Sequence, residues 1–233
     1  MLTSTLESWT SSLLFAIFSL PDPTLLTDAA AESSNPLASI GIAVATSAIT
    51  ALILSPLDTV RTRLMITPSS YGPRNILPQL HSLGTYIAPS PLILPTLLHA
   101  SFPTLILSSR PYIIHHRLGI DPVHSPGAYL TLSFLGSMAA RFSRLPLETV
   151  LRRAQATIGT PGQSGPPEKT LVPVGRYVGV VGTMWLIIKE EQGEGGLGGV
   201  EGLFRGWRMG FWPEVGLVIL SFLGIGSGGD EGF

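Results

Sequence analysis

Residues 56–63 read PLDTVRTR and residues 146–153 read PLETVLRR, so one pattern of proline, acid and basic cluster occurs twice in the chain. The two copies begin 90 residues apart, and a predominantly apolar stretch precedes each of them. Similarity at a fixed spacing indicates that the chain repeats one supersecondary unit. The unit predicted here is a membrane helix that ends in a proline, an acid and basic residues.

The composition is typical of a membrane protein. Charged residues make up 12% of the 233 residues, which is about half of their share in soluble domains. The net charge is -1 and no basic face is evident, so nucleic acid is not an expected partner. The chain has no cysteine, which excludes disulfides and thiolate chemistry. The alternative is a soluble protein with fully apolar, buried helices.

Five apolar segments are candidates for membrane-spanning helices. They are residues 9–20, 33–57, 92–107, 127–147 and 211–225. Within the second segment, the uncharged residues 37–55 already approach the ~20 residues that a spanning helix requires. The first segment is interpreted as the end of a helix whose beginning is missing.

Basic residues are distributed asymmetrically about these segments. Ten of the 14 lie in connections on one side, as the positive-inside bias predicts for alternating spans. Arg141 and Arg144 instead lie within the fourth segment. An unpaired arginine at membrane depth is costly, so both side chains are expected to face the interior of a helical bundle.

Apolar residues recur at helical spacing between residues 174 and 188, which predicts an amphipathic helix lying at the membrane interface. They are Val174, Tyr177, Val178, Val181, Met184, Trp185 and Ile188. Residues 75–84 are expected to form a shorter counterpart, and residues 160–173 a flexible linker.

The repeated motif has physical consequences of its own. Pro56 and Pro146 are expected to kink their helices, because proline lacks the backbone N–H and clashes with the preceding turn. Asp58 and Arg61 lie three residues apart, which permits a pair within the helix or pairs between neighbouring helices. Ordinary charge at a helix end would explain one copy, but two copies at matched positions argue against that interpretation.

These features resemble the mitochondrial carrier family, whose tandem repeats each contain a kinked odd helix with Pro-x-acid-x-x-base-x-base, a surface helix and an even helix. The matched residues are Pro56, Asp58, Arg61 and Arg63 in the first copy, and Pro146, Glu148, Arg153 and Gln155 in the second. Residues 201–206 also match the family's acid-Gly-x-x-basic-Gly motif. The implied fold is all-α, a membrane helical bundle of the carrier type with two repeats and one even helix of a truncated preceding repeat.

The resemblance divides the chain into four parts. Residues 1–35 would be the even helix of the truncated repeat with its connector, and residues 36–125 and 126–225 would each be one carrier repeat. Residues 226–233 would be a disordered tail. The gap in a six-helix ring could be filled by a second copy of the chain in a homodimer, by lipid, or by a missing part of the parent protein.

Departures from the carrier pattern decide the expected function. Leu151 stands where the second motif should have its first base, so Glu148 is expected to lose its partner. The aromatic-acid-x-x-base motif of the opposite gate is missing from residues 111–119 and 217–229. Alternating access requires two competing gates. The resemblance therefore implies a carrier-derived membrane adaptor that supports mitochondrial outer-membrane fusion by linking dynamin-like GTPases.

The alternative function is a mitochondrial solute carrier of the inner membrane that exchanges a small anionic metabolite. Arg110, Arg141 and Arg144 would then contact the substrate, although helix packing or snorkelling is the favoured explanation of all three. An enzyme is not expected, because no histidine has metal-ligand spacing and no nucleophile and base or phosphate-binding loop stands out. No cofactor is expected.

Lipid is an expected partner. Arg205 and Gly206 precede the last apolar segment, and the N–H groups of a helix N-terminus favour phosphate. In carriers a similar sequence holds cardiolipin, so the resemblance implies an anionic lipid here. The alternative is an interfacial anchor in which Trp207 and Trp212 serve as belt aromatics.

Overall fold

The computed structural model describes residues 36–66, 90–121, 123–157, 175–192, 202–204 and 206–222, with five helical residues between positions 8 and 16. The principal helices are α1 (Pro36–Ile66), α2 (Ser90–Tyr112), α3 (Pro126–Thr157), α4 (Gly179–Gln192) and α5 (Trp207–Phe222). None of these described residues belongs to a strand, so the all-α prediction is confirmed. The predictions for residues 75–84, 160–173 and 226–233 lie outside the described residues.

The two motif-bearing helices are built alike. Helix α1 has 31 residues and α3 has 32, and each continues past an internal proline, Pro56 or Pro146. A hydroxyl three residues after each proline bonds the carbonyl just before it: Thr59 donates to Ser55 at 2.8 Å, and Thr149 donates to Leu145 at 3.0 Å. These are bonds from a threonine hydroxyl to the carbonyl four residues earlier, which often accompany a bend in a helix.

Two described helices are long and apolar enough to cross a bilayer, namely Pro36–Ile66 and Pro91–Arg117. Helix α3 has the length, but Arg141, Arg144 and the charged cluster beyond Pro146 make it less apolar. Helix α5 has 16 residues, fewer than a straight span requires. Of the five predicted spans, two therefore meet the requirements of length and composition among the described residues.

Burial on α1 is the reverse of burial in a soluble protein. Most of its buried residues carry hydroxyls: Ser39, Thr46, Ser47, Thr50, Ser55, Thr59 and Thr62. Its exposed residues include Leu37, Ile49, Ile53 and Leu57. A helix that buries small polar residues against its neighbours and exposes apolar residues is typical of a lipid environment.

Helix α2 packs against both α1 and α3 and runs antiparallel to each. Ser47 of α1 donates a hydrogen bond to the Ala100 carbonyl at 3.2 Å. At the other face of α2, Arg110 donates to the Ser133 carbonyl at 3.3 Å and to the Ser137 hydroxyl at 2.9 Å. Leu92, near the start of α2, packs on Leu151 near the end of α3, so α2 and α3 are antiparallel. The contact of Thr62 with Gln155 brings the C-terminal ends of α1 and α3 together.

The connection between α2 and α3 is short. Helix α2 continues as a π-helical turn, Ile113–Arg117, and the chain reverses at Gly119, whose φ of 62° is accessible to glycine without strain. The Asp121 carboxylate lies 3.5 Å from His115 Nδ1, while the ring of His116 contacts Tyr112 at a centroid distance of 5.0 Å. The adjacent histidines therefore point in different directions.

Candidate binding cavity and interhelical contacts

The first motif copy lies in the C-terminal part of α1. Pro56 is buried, Asp58 is half-buried and Arg61 is exposed. Among the described residues Asp58 and Arg61 form no ion pair, so the pair that their spacing permits is not made. Arg63 is half-buried at the end of the helix.

The second motif copy differs from its expectation at Glu148. Its carboxylate lies 3.7 Å from Arg152 Nη2, one helical turn further along α3. The expectation that Glu148 loses its partner is therefore wrong, because a base at position i+4 replaces the missing base at i+3. Both side chains belong to α3, so this pair does not tie α3 to a neighbouring helix.

The surroundings of Leu151 explain why position 151 does not carry the first base of the motif. The Leu151 side chain is 6% exposed and packs with Leu92 of α2 and Ala154 of α3. Tyr177, in the segment before α4, covers this cluster. Burial also raises the pKa of the Tyr177 phenol. A base at position 151 would place a charge inside this small apolar core, which is costly without a partner.

Gln155 joins the two motif-bearing helices. Its Oε1 lies 2.9 Å from the Thr62 hydroxyl of α1, and Arg152 Nη1 donates to both Oε1 and Thr62 Oγ1 at 3.1 Å. Gln155 is 1% exposed, so its polar group depends on these partners. Thr62 lies six residues after Pro56 and Gln155 nine after Pro146, which places the two prolines within about one turn of the same level.

Arg153, the second base of the motif, contacts the chain that leads into α4. Its guanidinium occupies the space where a Cβ on Gly175 would lie. Glycine at position 175 therefore permits the close approach of α3 to this segment. Helix α4 begins shortly afterwards at Gly179, whose φ is 75°, and the Val178 N–H donates to Thr183 Oγ1 at 3.1 Å.

The predicted surface helix is present in α4, although it begins later than its apolar pattern. Val178, Val181 and Trp185 are exposed along one side of this segment, and Val180 and Ile187 are buried on the other. The exposed side is apolar, as an interfacial helix requires. Its placement at a membrane surface stays a prediction.

A cavity of about 400 Å³ lies between α2, α3 and α5. It is lined by Pro103, Leu107, Ser137, Met138, Ala140, Arg141, Phe142, Arg144, Leu145, Glu148, Gly206, Trp207, Gly210, Phe211 and Glu214. Two of the three arginines predicted to contact an anionic substrate, Arg141 and Arg144, thus lie in one wall. Both are exposed in this partly open cavity.

Arg141 forms an ion pair that joins α3 to α5. Its Nη2 lies 2.6 Å from Glu214 Oε1 of α5, and its Nε donates to the same oxygen at 2.7 Å. Glu214 is only 17% exposed, so the pair partly neutralises a charge in an apolar helix. The Arg141 side chain passes beside Gly210, one turn before Glu214, where a Cβ would lie 3.5 Å from Nη1.

Arg110, the third candidate arginine, does not line the cavity. Its guanidinium bonds Ser133 and Ser137, and its aliphatic stem packs on Gly136 of α3. A Cβ on Gly136 would lie 2.9 Å from Arg110 Cδ. Arg110 therefore acts as a bridge between α2 and α3.

Aromatic rings join α3 to α5 beside the cavity. The Phe142 ring of α3 lies 6.3 Å from that of Trp207 and 6.2 Å from that of Phe204. The Trp207 ring in turn contacts Phe211 at 5.7 Å. Offset and edge contacts at these distances stabilise aromatic pairs. They attach the beginning of α5 to the middle of α3.

The predicted lipid site is described only in part. Gly206 is exposed, has a φ of 88° and precedes α5, and the Met209 N–H donates to its carbonyl at 3.0 Å. It also lines the cavity. Arg205 lies outside the described residues, so the lipid contact of this pair stays a prediction.

Sequence reasoning missed Thr62, Arg152 and Glu214. Glu214 is the only charged residue in the apolar segment 211–225, and a carboxylate at membrane depth indicates a buried partner or a functional site. Arg152 follows Glu148 by one helical turn, a spacing that favours a pair. No sequence signal distinguished Thr62 from the other hydroxyls of α1.

Comparison of the chain with protein-family models, with curated proteins and with solved structures gave no match.

Proposed function

We propose that the chain is a carrier-derived membrane adaptor of the mitochondrial outer membrane that supports fusion by linking dynamin-like GTPases. Three features support a carrier-type repeat: the two motif copies, the matching lengths of α1 and α3, and the same threonine bond beside each proline. The exposed apolar side of α1 supports a bundle surrounded by lipid.

The observation that carries the adaptor proposal is that Arg110, Arg141 and Glu148 each form a defined polar contact within the bundle. Arg110 bridges α2 to α3, and Arg141 pairs with Glu214 across α3 and α5. Glu148 pairs within its own helix. A transporter needs gate pairs that break and re-form between helices during alternating access. The contacts of Arg110 and Arg141 hold neighbouring helices together, which favours a scaffold over a transporter.

Removal of the gene from its host tests the adaptor proposal. We expect fragmented mitochondria and loss of matrix-content mixing in a fusion assay, with both restored when the wild-type chain is supplied again. Affinity capture of the chain from solubilised mitochondria should retain the dynamin-like GTPases. Normal tubular networks and normal mixing in the deletion strain would overturn the proposal.

A second candidate function, a solute carrier for a small anion, is supported by the cavity. Arg144 lines it and forms no ion pair with any other described residue. Liposomes that contain the purified chain would then take up a labelled anion such as phosphate or citrate. Arg144→Gln should abolish uptake, whereas Arg176→Gln, an exposed arginine before α4, should not. Absence of uptake by the wild type excludes transport of the anion tested.

A further inference from the structure

The cavity between α2, α3 and α5 has a predominantly apolar lining and an apolar rim. Three of its lining residues, Leu107, Phe142 and Trp207, are also 44%, 37% and 40% exposed. These residues therefore lie where the cavity opens to the surroundings. A strongly hydrated metabolite gains little from such a rim, whereas an acyl chain is stabilised by contact with it.

The charges inside the cavity leave one cation without a counterion. Arg141 and Glu214 neutralise each other at 2.6 Å. Glu148 has a possible base one turn before it, Arg144, and another one turn after it, Arg152, and it pairs with Arg152. An acid that precedes its base along a helix forms the better pair, which explains this choice.

Arg144 therefore lines the cavity without an ion partner among the described residues. An arginine in an apolar environment is stabilised by a bound carboxylate or phosphate, to whose oxygens its planar guanidinium donates two hydrogen bonds. The volume of about 400 Å³ falls in the range of small-ligand sites. A cavity of this size accommodates a lipid head group and the beginning of one acyl chain.

We propose that this cavity binds an anionic amphiphile. Arg144 pairs with the carboxylate or phosphate of the head group, and Leu107, Phe142 and Trp207 contact the acyl chain where it leaves the cavity. The shared chemistry is a single anionic head on an acyl chain, as in a fatty acid or an acidic phospholipid. This proposal does not depend on the link to the fusion GTPases.

Trp207 supplies a local probe of binding. The full chain, with its other three tryptophans replaced by phenylalanine, is placed in phosphatidylcholine nanodiscs and titrated with dibromostearate, whose bromine atoms quench tryptophan at contact. We expect saturable quenching of Trp207 fluorescence. Native mass spectrometry of the same sample should show one retained dibromostearate per chain.

Charge variants test the head-group contact. Arg144→Gln should weaken binding about tenfold or more, because it removes a charge-assisted hydrogen bond to the head group. Arg176→Gln makes the same charge change outside the cavity and should bind as the wild type does. Arg144→Glu should lose dibromostearate and gain affinity for dodecylamine. Equal affinities of the wild type and Arg144→Gln would overturn the proposal.

Competition identifies the source of the anion. Displacement by oleate but not by dioleoyl phosphatidic acid assigns the site to a fatty acid, and the opposite result assigns it to a phospholipid. Displacement by inorganic phosphate or acetate alone would show that contact with the acyl chain contributes nothing to binding. That result would overturn the amphiphile proposal in favour of a small-anion site. Normal fusion in the deletion strain would leave these binding results unaffected.

Discussion

Thr62 and Gln155 join the two motif-bearing helices through an oxygen-to-oxygen contact of 2.9 Å, and Arg152 donates to both of them. The contact lies beyond the proline of each helix, at the end where both basic clusters lie. It gives α1 and α3 a direct polar connection across the C-terminal ends of the bundle.

Thr62→Val removes the hydroxyl from this contact and leaves Gln155 with Arg152 alone. Interhelical hydrogen bonds in membrane proteins contribute ~0.6 kcal/mol on average, and up to ~1.7 kcal/mol. We expect a loss of that size in the free energy of unfolding in detergent. Thr131→Val, which removes an exposed hydroxyl on α3, is the control and should have little effect. A double-mutant cycle with Gln155→Leu should give a non-zero coupling energy; additivity would show that the contact is not made.

Leu151→Arg restores the base of the carrier pattern. We expect it to destabilise the protein by ~3 kcal/mol or more, because an unpaired charge would enter the cluster of Leu92, Ala154 and Tyr177. Thermal unfolding in detergent measures this loss. Leu151→Met keeps the apolar character and should cost under ~1.5 kcal/mol. If the arginine variant were as stable as the wild type, Leu151 would have no packing role.

Glu214→Leu leaves Arg141 without its partner inside the cavity. We expect a fall in thermal stability, since removing one member of a partly buried pair costs more than removing both. The double variant Arg141→Leu with Glu214→Leu should recover part of the loss. A double variant less stable than Glu214→Leu would show instead that Arg141 contributes independently of Glu214.

Gly175→Ala should displace the guanidinium of Arg153 from α3. The added methyl would separate the segment before α4 from its contact, so limited proteolysis should cleave the connection between α3 and α4 faster. Gly216→Ala in α5 is the control, because no atom lies within 4 Å of the new Cβ. Alanine there should be neutral or stabilise the helix by up to ~1 kcal/mol.

The absence of cysteine makes a labelling test of membrane position direct. A cysteine at Ile53, which is 55% exposed on α1, should resist a water-soluble maleimide in intact membranes because lipid covers it. A cysteine at Val123, which is 86% exposed between α2 and α3, should react rapidly. Fast reaction of both would contradict a spanning α1.

The sequence pattern predicted α1, α2 and α4 because each is a local property of consecutive residues. Helix α4 begins at Gly179, later than its apolar stripe, because the preceding segment packs through Tyr177 and contacts Arg153. Local patterns do not specify such tertiary contacts. Both motif prolines were also identified correctly as helix residues.

The site was predictable only in part. Arg141 and Arg144 were identified from their cost in an apolar segment, and both line the cavity. The partner of Arg141 was not identified, because Glu214 lies 73 residues away in the sequence and only the packing of α5 against α3 brings the two together. The loss assigned to Glu148 was wrong because a family pattern fixes one spacing, whereas a helix offers a base at either three or four residues.

The hydroxyl-lined face of α1 determines where this chain can assemble. Between helices immersed in hydrocarbon, apolar contacts give no net driving force, so cohesion comes from close packing and from bonds such as those of Ser47, Thr62 and Arg110. In water the exposed apolar side of α1 would promote aggregation before those bonds could form. If α1 and α2 span a bilayer, as their length and composition allow, these bonds are expected to form after the helices enter it rather than during collapse in water.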